Sequence, residues 1–275
     1  MNKIVYLSAF GFGFRDYSYM KKCIEECPDF TLGAEYGTSW MDSDFYENLS
    51  AQIEKMRGIP ATIHSPFIEI CTVPGSPEEE KMQKSFAKAA DYYEAFQAGS
   101  MVIHTHEGKF APEKQDEARA RSREVLLQLY RDFSPRGIHL TVENVGYPHR
   151  GNVLFDYDHF VELFSELPDE IGCLIDTGHA MLNRWDMVKL IETLGPRVRG
   201  VHLNNNDGVH DSHYPTFDPE GFLSPQQMDD IVAALARYAP EADLILEYHP
   251  EQRFTQESLY EDVRRIARVW DAACK

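Results

Sequence analysis

Fifteen residues, VHLNNNDGVHDSHYP at 201–215, hold three histidines (His202, His210, His213) and two aspartates (Asp207, Asp211). Such a stretch can be a solvated turn, a metal cage or a set of proton-transfer groups. The same residue types recur along the chain. IHSPF brings His64, VIHTHEG brings His104 and LTVENVG brings Glu143; LIDTGHA brings Asp176 with His179 three residues on, and LILEY brings Glu247. Each alone has an ordinary reading, because a lone histidine at a strand end is commonly a hydrogen-bonded rim residue and a lone carboxylate a helix cap. The set differs. Carboxylates buried together in low dielectric cannot all ionise without cations, and divalent ions remove that cost. Imidazole and carboxylate suit Zn, Mn, Co or Fe. A metal site is therefore expected from His64, His104, Glu143, Asp176, His179, His202, Asp211, His213 and Glu247.

The elements that must position these residues alternate. Eight β-rich runs, at 3–10, 31–37, 60–66, 100–106, 138–144, 171–177, 199–205 and 243–249, are separated by stretches whose apolar residues recur every three or four positions. Ser76-Pro77 and Ser224-Pro225 read as helix N-caps followed by first-turn prolines. Strand alternating with helix implies parallel strands joined by right-handed crossovers. Eight such units close into a (β/α)₈ TIM barrel, an α/β fold spanning residues 1–275 as a single domain. A doubly wound sheet lacks support, since no G-x-G-x-x-G follows a strand. In a barrel of this kind chemistry sits at the C-terminal ends of the strands, where the nine residues fall.

Other residues keep open readings. His106 either faces the same way as His104 or starts a loop. Asp207 with Gly208 reads as a turn, and His210 as solvated. Glu35 could bind substrate or an arginine. His139 lies at the opposite end of its strand, and His149, His159 and His249 have weak claims. Trp40, Trp185 and Tyr248 could stack on a sugar or pack into core and lid. Arg150, Lys109, Arg184 and Arg253 follow strand ends and could hold a phosphate or carboxylate, or lie on the surface.

Charge narrows the partners. The 275 residues carry a net charge of −18, which disfavours extended nucleic-acid binding. The balance stays strongly negative with the ligand carboxylates set aside. RARSR at 119–123 sits in a helical pattern interleaved with acids. A small polar substrate is expected instead. The five cysteines form no C-x-x-C pair and read as reduced thiols of a cytoplasmic protein. The N-terminus does not read as a signal peptide, and no apolar run is long enough for a membrane span. Monomer and homodimer fit equally.

IHSPF, VIHTHEG, LTVENVG, LIDTGHA, VHLNNNDGVHDSH and LILEY, in this order, resemble the superfamily joining xylose-isomerase-like sugar isomerases and epimerases with endonuclease IV-type phosphoesterases. The resemblance runs from about residue 3 to 250. In the sugar-acting members it implies one divalent metal (Mn, Co or Mg) on residues matching Glu143, Asp176, His202 and Glu247. The two glutamates then act as acid and base on a carbon next to a carbonyl, and His179 touches a substrate oxygen. In the endonuclease IV-like members it implies three zinc ions on residues matching all nine, hydrolysing a phosphoester. The sugar or sugar-phosphate isomerase or epimerase is the expectation; a multi-metal hydrolase of a small phosphodiester is the alternative. One departure stands out. After His213 the chain reads YPTFDPEGF where the family commonly shows a compact Pro-Leu-Gly-x-Gly stretch, so the resemblance does not fix this loop.

Overall fold

The computed structural model describes residues 3–38, 43–252 and 254–275. Trp40 and Arg253 lie outside these. Eight strands form: β1 Val5–Ser8, β2 Leu32–Gly37, β3 Ala61–His64, β4 Met101–His104, β5 Leu140–Glu143, β6 Gly172–Asp176, β7 Val198–Leu203 and β8 Asp243–Leu246. They pair in sequence order, all parallel, and β8 returns to β1, closing the barrel. Each falls within one of the eight expected runs but for Val198 at the start of β7.

Ten α-helices lie among the described residues: α1 Tyr17–Glu25, α2 Ser43–Ser50, α3 Gln52–Lys55, α4 Pro77–Phe96, α5 Gln115–Phe133, α6 Tyr157–Glu166, α7 Thr177–Leu182, α8 Met187–Leu194, α9 Pro225–Tyr238 and α10 Gln256–Ala273. The expected caps are in place. Ser76 Oγ accepts the N–H of Glu79 at 3.2 Å, and Ser224 and Gln227 form a capping box. Two features differ from the sequence reading. The helical pattern at 45–58 breaks between α2 and α3, where Gln52 Nε2 turns back onto the Asn48 carbonyl at 2.8 Å. A short helix, α7, starts immediately after β6 because Asp176 caps it, accepting the His179 N–H at 2.6 Å. No helix among the described residues is long and apolar enough to cross a membrane.

Most of the core lies between strands and helices. A separate apolar cluster of Tyr6, Val102, Leu174 and Ile245 fills the barrel interior. Gly33 makes room for it, since a Cβ there would lie 2.6 Å from the Tyr6 ring. Strand side chains alternate faces with a period of two. The residues two further along, Ser8, His104, Asp176 and Glu247, therefore stand on the same inner face, one layer nearer the C-terminal mouth. The polar layer thus rests on an apolar plug.

Candidate metal centre

All nine residues named above converge at this mouth, in three adjoining groups. In the first, the Nε2 atoms of His64 and His104 lie 3.4 and 3.2 Å from Glu143 Oε2. In the second, His202 Nδ1 lies 3.5 Å from Glu143 Oε1, 3.8 Å from Asp176 Oδ2 and 3.1 Å from Glu247 Oε2. In the third, Asp211 stands between two rings, 3.1 Å from His179 Nε2 and 3.2 Å from His213 Nε2. Glu143 links the first two groups through its separate oxygens.

The first two groups hang from strand ends; the third depends on loops. His179 sits in α7, and the cap at Asp176 sets its position. Gly178 lets this turn approach β7, because a Cβ there would lie 2.1 Å from Asn204 Oδ1. The loop after β7 has a defined path. Asn205 and Tyr214 form an antiparallel bridge. The Asn206 carbonyl accepts from Phe222 at 2.7 Å. His213 has φ of 45°, a left-handed conformation costly for a non-glycine residue. Its carbonyl accepts the His249 N–H at 2.8 Å. A strained backbone held from both sides aims this imidazole into the site.

The orienting residues were not read from the sequence. Asn144 braces Asp176 through both backbone groups, accepting its N–H at 2.8 Å and donating to its carbonyl at 3.1 Å. Asn204 Nδ2 donates to Asp176 Oδ2 at 2.7 Å. The signal was present as the repeated asparagines of NNN and EN directly after strand ends, where a short amide can reach a neighbouring strand.

Electrostatics tie the groups together. Burial alone would lower the pKa of His104, but the carboxylates of Glu143 and Glu107 outweigh it and push it up to about 10. Burial likewise opposes protonation of His213, and Asp211 and Glu247 raise it to about 10. Burial would raise Glu247, yet His202 and His213 hold it at about 2. Glu143 is held well below the usual carboxylate range, burial being overcome by His104 and His202. The cluster thus calls for positive charge at its centre. The donor set fits a divalent cation on a further count. Glu143 Oε2, His202 Nδ1 and Asp211 Oδ1, one atom in each group, are buried and complete no hydrogen bond.

A cavity of about 290 Å³ is lined by Glu143 and Asp211, with His202 buried beneath it. Phe10, Phe67 and Val145 wall it, and Arg150 is the one lysine or arginine lining it among the described residues. Arg150 lies 4.0 Å from Glu107.

Other candidates sit elsewhere. His106 turns away and bonds the Asn152 carbonyl at 2.6 Å, fixing the loop after β5. Asp207 is the turn residue expected, accepting from Val209 and His210. His149 meets His210 edge-on outside the cluster, and His159 bonds its own helix cap. Exposed His139 precedes β5 at the far end. Arg184 lies over Phe222 and donates to the Gly208 carbonyl, bracing the β7 loop. Lys109 does not line the cavity. Trp185 packs against Phe160, and Tyr248 is buried against Thr216 and Asp262. Glu35 contacts neither cavity nor arginine; it lies buried within the barrel.

Comparison with known proteins agrees with the fold. The family model described as xylose isomerase-like TIM barrel matches residues 22–269. A D-tagatose 3-epimerase-like protein is 16% identical with a TM-score of 0.77, covering 99% of this chain and 100% of its own. Endonuclease IV from Thermus thermophilus is 19% identical with a TM-score of 0.58, covering 99% and 98%. A structure of the IOLI protein with a binding zinc atom is 14% identical with a TM-score of 0.70, covering 99% and 98%. No curated protein sequence matches the chain.

Proposed function

The chain belongs to the xylose isomerase-like TIM barrel family, and from that premise we propose that it is a metal-dependent isomerase or epimerase of a small sugar or sugar phosphate. The observation carrying this reading is the placement of Glu143 and Glu247. Both carboxylates line a cavity of about 290 Å³ and converge on one buried atom beneath it, His202 Nδ1, at 3.5 and 3.1 Å. That volume suits a monosaccharide-sized ligand rather than a polymer. The same acidic chain lacks the basic stripe that nucleic acid calls for.

Glu143, Asp176, His202 and Glu247 would hold a divalent ion. When bound, it would polarise substrate oxygens and offset negative charge. The glutamate carboxylates do the proton work: one removes a proton from a carbon next to a carbonyl, and the other returns one to the neighbouring carbon or the opposite face. Asn144 and Asn204 keep Asp176 out of that exchange by fixing its orientation. Phe10 and Phe67 flank the opening and limit water. Arg150 stands where a phosphate or carboxylate on the substrate would reach it.

One observation favours a second reading, a hydrolase of a small phosphoester. The third group, His179, Asp211 and His213, is organised around an Asp211 oxygen without a hydrogen bond, and a single-metal isomerase has no need of Asp211 or His213. Metal content per chain, measured by elemental analysis on protein purified without chelators or a histidine tag, separates the two. One ion, exchangeable for manganese or cobalt, with turnover of ketoses or their phosphates, supports the isomerase. Two or three zinc ions with turnover of phosphodiesters overturns it.

A further inference from the structure

We infer that Glu35 is a positioning residue: its buried carboxylate holds Nε2 of His202 so that Nδ1 faces Glu143, Asp176 and Glu247. The inference rests on His202 serving as a metal ligand.

The five histidines of the centre are not alike. Four present Nε2 to the cluster and have Nδ1 held by a nearby oxygen. His64 Nδ1 lies 2.8 Å from the Ser65 carbonyl, His179 Nδ1 2.9 Å from that of Asn144, and His213 Nδ1 3.1 Å from that of Glu247; His104 Nδ1 is paired with the Glu107 carboxylate. His202 is reversed. Its Nδ1 is presented, and its Nε2 points into the barrel, 3.3 Å from both oxygens of Glu35. The orienting group therefore comes from β2, far away in sequence and inside the barrel.

Glu35 has little other reason to be there. Both it and His202 are 0% exposed. Its other side-chain partner is Thr62, whose hydroxyl donates at a long 3.4 Å, and Glu35 Oε1 completes no hydrogen bond. A carboxylate in an apolar interior is costly, and well-packed hydrophobic residues usually serve stability as well or better. A carboxylate behind a metal-facing imidazole has a defined effect. It fixes the tautomer and ring orientation and raises the basicity of the other nitrogen.

The test uses full-length protein stripped with a chelator, with zinc affinity measured by competition against a chromophoric chelator. Glu35→Gln keeps the shape and an acceptor oxygen but removes the charge. The inference expects zinc affinity to fall about 10–100-fold, with the far-UV circular dichroism unchanged. A residue that only fills space would leave affinity unaltered in this isosteric variant, and that result overturns the inference. Should the variant not fold, nitrogen NMR of the zinc-loaded wild type decides. A buried imidazole protonated at Nε2, alone among the ligand rings, supports the inference; His202 protonated at Nδ1 overturns it. Wild-type protein that takes up no zinc overturns both this inference and the metal reading, whereas zinc uptake indifferent to Glu35→Gln overturns this one alone.

Discussion

The side-chain oxygen of Asn206 accepts the backbone N–H of His213 at 2.9 Å and that of Ser212 at 2.7 Å. This amide clamps the loop at the point where His213 enters the left-handed region. Asn206→Ala removes the one oxygen that accepts both hydrogen bonds, at about 1 kcal/mol each. The expected outcome is a lower melting temperature and, if a second ion occupies the group of His179, Asp211 and His213, a selective loss of that ion. Elemental analysis alongside thermal unfolding checks it. Unchanged values in both would mean that the backbone holds the strained residue unaided.

Removing the outer group outright separates the two reactions. The double variant Asp211→Ala, His213→Ala is expected to stay folded and to keep one ion per chain on the remaining four-residue group. If the enzyme is the alternative hydrolase, the same variant loses a metal and all turnover. Full metal content retained in the double variant would rule out an ion held by Asp211 and His213.

Glu143→Gln and Glu247→Gln each remove a carboxylate that the proposed isomerase uses for proton transfer. At saturating metal, each is expected to lower kcat by about 10²–10⁴-fold. A second readout is exchange of the substrate's carbon-bound hydrogen with solvent deuterium, which should slow in parallel. Exchange at the wild-type rate in both variants would assign the base elsewhere.

Away from the site, Asp262 in α10 gives a pH prediction. Burial raises its pKa to about 6, against the lowering effect of the Tyr248 hydroxyl, which donates to it at 2.8 Å. A carboxyl with a raised folded-state value binds more protons folded than unfolded between about pH 4 and 6. Its contribution is therefore full below pH 4 and lost as pH rises through 6. The slope is at most about 1.4 kcal/mol per pH unit. Asp262→Asn keeps an acceptor for Tyr248 and is expected to flatten the change in denaturation midpoint between pH 4 and 6. An equal pH dependence in variant and wild type would show that Asp262 ionises normally.

The barrel was legible because eight apolar β-rich runs alternate with amphipathic helical ones, a pattern with few other solutions. His64, His104, Glu143, Asp176, His202 and Glu247 were legible for a related reason. They lie at or beside strand ends, and strand ends share one rim. Residues acting through a second residue were harder to see. Glu35 gave no sign of its partner because His202 is 167 positions away, and only barrel closure brings them within 3.3 Å. The path of 207–222 was also hidden: Asn205, Asn206 and Arg184 each brace a different part of it, whereas periodicity speaks only for regular elements. α7 was missed because its cap, Asp176, also ends a strand, and a strand reading absorbed it.

His64, His104, Glu143, Asp176 and His202 are anchored on strands of a closed sheet, whereas Asp211 and His213 ride on a connection whose ends return to the same strand and helix whatever lies between. Lengthening, shortening or re-sequencing that connection leaves the strand register undisturbed. Chains with one shared scaffold can thus differ in how many ions they carry and in the bonds they break or rearrange. Exchange of residues 207–222 between relatives of this barrel, leaving Asn204 and its bond to Asp176 in place, would then test whether this connection sets the number of ions bound.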